Sequence, residues 1–176
     1  MSVETEKRFL TAKRMTVFLV FFVLTVLWTA VIFGFSSTEG KKSSMQSQAI
    51  TERVVKTIDH DYKMPEKLEP HSKDRLYDTI VRKSAHVFSY FLLGVLMFFT
   101  VRSLAGYRKN DIFAAKLAIP LCVLVAIADE CNQKFTEGRS GRATDVLIDL
   151  LGILAGITVC ILSLRKASKR LKKTKK

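Results

Sequence analysis

The sequence predicts an all-α, polytopic membrane protein with four transmembrane helices and a short amphipathic helix in an extracytoplasmic insertion between the first and second. Three observations predict it. The chain has 176 residues, 48% of them hydrophobic, and the apolar ones fall into four blocks separated by charged segments. A soluble core would spread them along the chain instead. Each block is about 20 residues long, enough to cross the hydrocarbon layer as a helix. The formal net charge of +13 is concentrated in the two tails and one short loop, where topology rules place positive charge. That distribution argues against nucleic acid as the partner, since no aromatic–basic interleaving or nucleic-acid motif accompanies it. The length fits one domain, residues 1–176.

The first span covers about residues 15–35. Lys7, Arg8, Lys13 and Arg14 precede an unbroken apolar run from Met15 to Phe35. The run is long for a signal peptide and no small-x-small cleavage site follows, so it reads as a retained helix. Trp28 and Phe35 lie towards its far end, where aromatic anchors are common. Residues 36–80 form the largest polar segment and carry nearly balanced charge. Within it Ala49, Ile50, Val54, Val55 and Ile58 recur at helical spacing. Pro65 and Pro70 punctuate a linker, and a helix beginning near Ser72 runs into the second span, about residues 81–101. Arg102, Arg108 and Lys109 fill the next loop.

The third span covers about residues 112–131. Lys116 can snorkel from it, and Pro120 sits inside it. The fourth covers about residues 144–164, where Gly152 and Gly156 form a G-x-x-x-G that permits close helix packing. Arg165 to Lys176 is a tail with eight Lys or Arg and no acid. Cys122 and Cys160 lie inside apolar runs and read as packing residues, while Cys131 lies nearer the polar seam.

Positive-inside counting places both termini in the cytoplasm. The N-terminal tail, the 102–111 loop and the C-terminal tail then share one side. The head of the second span and the Asp129–Asp149 seam share the other, extracytoplasmic side. On the second helix Arg82, His86 and Tyr90 are four apart and share a face. Glu130 and Gln133 share a face on the third. On the fourth, Arg142, Asp145, Asp149, Gly152 and Gly156 follow steps of three and four, which turns the acids towards the helix-packing face. A carboxylate one turn deep costs about 2.5–3.5 kcal/mol when unpaired. Asp149 therefore needs a partner, with Arg82, Arg142 and His86 as candidates.

These groups form a candidate pocket. His86, Glu130, Asp145 and Asp149 are the candidates for proton transfer. Arg82, Lys83, Tyr90, Gln133, Arg139 and Arg142 are the candidates for ligand binding. Each has a plain structural reading as well: Lys83 as a snorkel, Tyr90 as a belt aromatic, Glu130 and Asp149 as packing ion pairs. No H-E-x-x-H, G-x-S-x-G, Walker or C-x-x-C motif occurs, so no metal or cofactor is assigned.

The residues resemble the VanZ-like family over about positions 15–164. The matching pieces are Arg82-Lys83-Ser84-Ala85-His86 with Tyr90 and Gly94, then Asp129-Glu130 with Gln133, then Gly138-Arg139. Asp145-Val146 with Asp149 and Gly152 completes the match. Ser36-Ser37-Thr38-Glu39 fits in its serines and lacks the expected glutamine. The resemblance implies a bacterial cell-membrane protein with a cell-envelope role. The family takes its name from teicoplanin resistance within glycopeptide-resistance clusters, and the resemblance supplies no reaction.

Two classes of function follow. One is a membrane enzyme or binder of an anionic envelope lipid, a cell-wall precursor or a glycopeptide-related ligand at the outer leaflet. The other is a non-catalytic protein that organises the envelope or assists a partner, with a purely structural ion network.

Overall fold

The computed structural model describes residues 3–37, 49–50, 52–57, 73–104, 111–135 and 143–174. Four long helices carry the fold: α1 (Val3–Ser36), α2 (Lys73–Ser103), α3 (Asp111–Lys134) and α4 (Ala143–Thr174). Each contains a stretch long and apolar enough to cross a membrane, at Ala12–Ser36, Thr79–Ser103, Asp111–Lys134 and Thr144–Thr174. The protein is therefore a multi-pass membrane protein, as the four apolar blocks predict.

The helix that begins in the polar segment does run unbroken into the second span. Arg102 departs from expectation. It lies in the last turn of α2 rather than in the loop, and its Nε donates to Asp111 Oδ1 at 2.7 Å. A cation at a helix C-terminus and an acid at the next helix's N-terminus both suit the helix dipoles. This pair clamps the α2–α3 connection. The C-terminal tail continues as helix through Thr174. The insertion is helical at residues 49–50 and 52–57. There Lys56 pairs with Glu52 at 2.7 Å, one turn apart. Ile58, Pro65 and Pro70 lie outside the described residues.

Consecutive spans alternate in direction. Thr25 of α1 meets Thr100 of α2 through a 2.9 Å hydroxyl pair, while Ser36 of α1 meets Asp129 of α3. The C-terminal ends of α1 and α3 and the N-terminal ends of α2 and α4 therefore share one end of the bundle, called here the site end. Among the described residues of α1, Thr25, Ile32 and Ser36 are the buried ones, a narrow stripe. Leu19, Phe22, Val26 and Leu27 point outwards, as lipid-facing residues of a span do. Trp28 also makes a contact within the bundle. Its indole donates to the Ser89 carbonyl at 2.9 Å, fixing α1 against α2. Isolated hydroxyls fold back on their own helix, as Thr29 does to the Thr25 carbonyl at 2.8 Å, which satisfies them in hydrocarbon.

The closest packing joins α2 to α4, which run parallel. A Cβ on Gly152 would collide with the backbone of Val87 and Phe91, and one on Gly156 with the carbonyl of Phe91. On the facing helix, a Cβ on Gly94 would lie 2.8 Å from the Ile153 carbonyl. Three glycines thus let two backbones touch. Gly34 on α1 contrasts with them, since a methyl placed there would meet nothing within 4 Å.

Gly152→Ala or Gly156→Ala should therefore lower stability by about 1–3 kcal/mol, since backbone rather than a flexible side chain must yield. Gly34→Ala should leave it unchanged or slightly raised. Thermal unfolding of the detergent-purified variants measures the contrast.

Candidate functional site

The glycine contact fixes the register of α2 against α4, and that register builds the site. Val87 lies against Gly152. The residues that precede this contact towards the site end, His86 and Lys83 on α2 and Asp149 and Asp145 on α4, therefore come together as well. His86 Nδ1 lies 3.5 Å from Asp149 Oδ1. Lys83 Nζ lies 3.6 Å from Asp145 Oδ1. Of the partners expected for Asp149, His86 lies beside it, and Arg142 lies outside the described residues. The His86–Asp149 separation is at the long limit for a hydrogen bond and short enough for an ion pair when the ring is protonated. Asp149 is fully buried, whereas the His86 side chain keeps 27% of its surface exposed. The imidazole thus stands between a dry carboxyl and the site end of the bundle.

A second polar centre lies one turn further along the same face of α2, at Tyr90. Asp129 of α3 is fully buried, and its Oδ2 accepts three hydrogen bonds. Ser36 Oγ donates at 2.8 Å, Tyr90 Oη at 3.1 Å and Gln133 Nε2 at 3.1 Å. Gln133 also reaches Ser36 Oγ at 3.3 Å, and Asn132 Nδ2 donates to Ser37 Oγ at 2.9 Å. One carboxyl oxygen thereby joins α1, α2 and α3. The two centres meet along α2, where the His86 and Tyr90 rings stack with centroids 6.5 Å apart.

Expected site residues divide by place. Lys83, His86, Tyr90, Gln133, Asp145 and Asp149 all take part in these contacts. Glu130 is also buried, at 4% exposure, beside Asp129 and within electrostatic reach of Tyr90. It faces neither lipid nor the far end of the bundle. Arg82 lies exposed on α2 at the site end. Arg139 and Arg142 lie outside the described residues. Tyr90 is buried, with its hydroxyl directed to Asp129. Among the described residues no three His, Cys, Asp or Glu side chains converge as a metal-ligand set.

Asp129 and Ser36 enter the sequence reading through the polar seam and the family resemblance, but not among the candidate pocket residues. A signal for Asp129 exists. Ala115, Ala118, Cys122, Ala126, Asp129 and Gln133 follow steps of three and four, and all are buried. This stripe of small residues marks the face of α3 turned into the bundle, and Asp129 belongs to it.

Tyr90→Phe removes one of three donors from a buried carboxyl and should cost about 1–3 kcal/mol. Ser36→Ala should cost a similar amount. The loss should appear as a lowered thermal midpoint of the purified protein.

Comparison with curated proteins returns no match, and neither does comparison with solved structures. Comparison with family models returns one described as VanZ/LLP1, matched by residues 21–164. That range takes in Ser36, Tyr90, Asp129 and Asp149 alike, and the chain belongs to the VanZ/LLP1 family.

Proposed function

We propose that the protein binds, at the outer leaflet of a bacterial cell membrane, an envelope ligand that carries phosphate or carboxylate, and that this binding contributes to glycopeptide (teicoplanin) resistance. The observation that carries the reading is the His86–Asp149 pair. A part-exposed imidazole stands 3.5 Å from a fully buried carboxyl, with the Lys83–Asp145 pair beside it. Asp149 faces Nδ1, which orients the ring and favours a proton on that nitrogen. That is the geometry of a histidine held to donate or accept a proton. Lys83 and Arg82 supply positive charge at the rim, where an anionic group can be met without burying it.

Charge supports the choice of membrane face. Four basic residues in the N-terminal tail and eight in the C-terminal tail belong to the end opposite the site. Anionic lipid on the cytoplasmic face attracts such clusters at about 1 kcal/mol per base. The ligand classes are an anionic envelope lipid, a cell-wall precursor, or a glycopeptide-related molecule. Family membership supports the envelope setting.

A second reading is favoured by the Asp129 network, which ties three helices through one oxygen. In that reading the protein organises envelope components or assists a partner, and the polar centres only hold the bundle. The two readings differ in what substitution does. Under the binding reading, His86→Ala or Glu130→Ala should abolish a teicoplanin-resistance phenotype in an expressing bacterial host while membrane abundance stays unchanged. Immunoblotting of isolated membranes beside the susceptibility assay checks this. Activity that simply follows abundance, with Arg82→Lys fully tolerated, would establish the structural reading instead.

A further inference from the structure

The deep end of the site has an excess of acceptors. Asp149 is fully buried, and neither of its carboxyl oxygens has a well-placed hydrogen-bond donor among the described residues. Asp129 is equally buried. Its Oδ2 is saturated with three donors, yet its Oδ1 has none among the described residues. Both acids lie within electrostatic reach of Tyr90, which places them around one turn of α2. A buried carboxyl oxygen without a donor is costly, so this cluster of acids calls for a group that supplies donors or positive charge.

Among the described residues the chain's own cations do not supply it. No lysine or arginine whose burial is described is buried. Lys83 is half exposed and engaged with Asp145, which lies one turn nearer the surface than Asp149. His86 stands 3.5 Å from Asp149 Oδ1, which leaves the carboxyl short of donors even with the ring charged. No set of three metal-ligating side chains converges among the described residues. A phosphate or carboxylate driven to this depth would meet two carboxyls and be repelled. A primary ammonium offers three N–H donors and a positive charge, which suits a cluster of buried carboxyl oxygens.

We infer that the ligand is a zwitterionic, amine-bearing phospholipid headgroup, its ammonium drawn towards Asp149 and Asp129 and its phosphate left at the rim near Lys83 and Arg82. This deepens the ligand-binding reading above and rests on it. The step from Asp149 to Asp145 is one helical turn, about 6 Å along the axis. That separates an inner ammonium position from an outer phosphate position by the length of a short two-carbon linker. The polarity runs from acidic inside to basic outside, so a ligand of one sign fits half of the site.

The test uses the full-length chain purified in detergent and native mass spectrometry, with short-chain phosphatidylethanolamine and phosphatidylglycerol of identical acyl length as probes. Phosphatidylethanolamine should bind about tenfold tighter or more, the worth of a charge-assisted hydrogen bond. Asp149→Asn should remove that preference while phosphatidylglycerol binding persists. The wild-type comparison needs no variant, so a misfolded Asp149→Asn would not protect the idea. Equal binding of the two lipids, or preference for phosphatidylglycerol, overturns the ammonium assignment and leaves headgroup binding standing. Failure of both lipids to bind overturns headgroup binding itself, and the ammonium assignment falls with it.

Discussion

Everything at the site end depends on how closely the backbones of α2 and α4 approach. Gly152 and Gly156 abut Val87 and Phe91, and Gly94 abuts Ile153. Contacts between long side chains tolerate a range of relative helix positions, because the side chains can repack. Contacts between backbones do not, since a shift by one residue would drive a Cβ into a carbonyl. The glycines therefore act as a register pin as well as a packing device. From that pin towards the site end, α2 and α4 juxtapose first His86 with Asp149 and then Lys83 with Asp145. Polar partners in a membrane attract strongly but do not by themselves select a register; here the apolar seam selects it and the polar pairs inherit it.

The remaining helices are held by different forces. α1 buries little of its surface and has no glycine seam. Its attachment to α2 and α3 runs through hydrogen bonds: Thr25 to Thr100, Trp28 to the Ser89 carbonyl, and Ser36 to Asp129. Hydrocarbon offers no competing water along most of this length, and apolar contact between helices gains little over contact with lipid tails. Directional polar contacts then decide where a weakly buried helix sits. Asp129 is the strongest of them because three donors from three helices share one of its oxygens.

Much of this was legible in the residues. Four spans, their alternation and the inward turn of the Asp145–Asp149–Gly152–Gly156 stripe follow from apolar run length and from steps of three and four. Membership in the family followed from motif order. What escaped was local. Arg102 looks like a loop cation by hydropathy, yet Asp111 nine positions on draws it into the last helical turn. Trp28 looks like a belt residue by its place near a span end, which gives no sign of the α2 backbone carbonyl that takes its indole N–H. On α3 the pair Glu130 and Gln133, three apart, hides the better pair Asp129 and Gln133, four apart. Choosing between them needs the full face of the helix, and the face is written in alanines, which carry no chemistry to attract notice.

Asp129 and Asp149 make an instructive pair, because they are the same residue type at the same burial, one with an oxygen that accepts three hydrogen bonds and the other with neither oxygen so served. Asp129 sits where α1, α2 and α3 meet, and each helix sends it a donor. Asp149 sits on the seam between α2 and α4, where the glycines bring backbones so close that few side chains remain to serve it. The glycine contact that fixes its position also strips its surroundings of donors, so that His86 meets it only at 3.5 Å. Stability alone would favour an apolar residue there, since a carboxyl short of donors inside a bundle is penalised where a leucine would pack. A carboxyl held in that position, with a part-exposed imidazole between it and the site end, is organised for something that arrives from outside the fold.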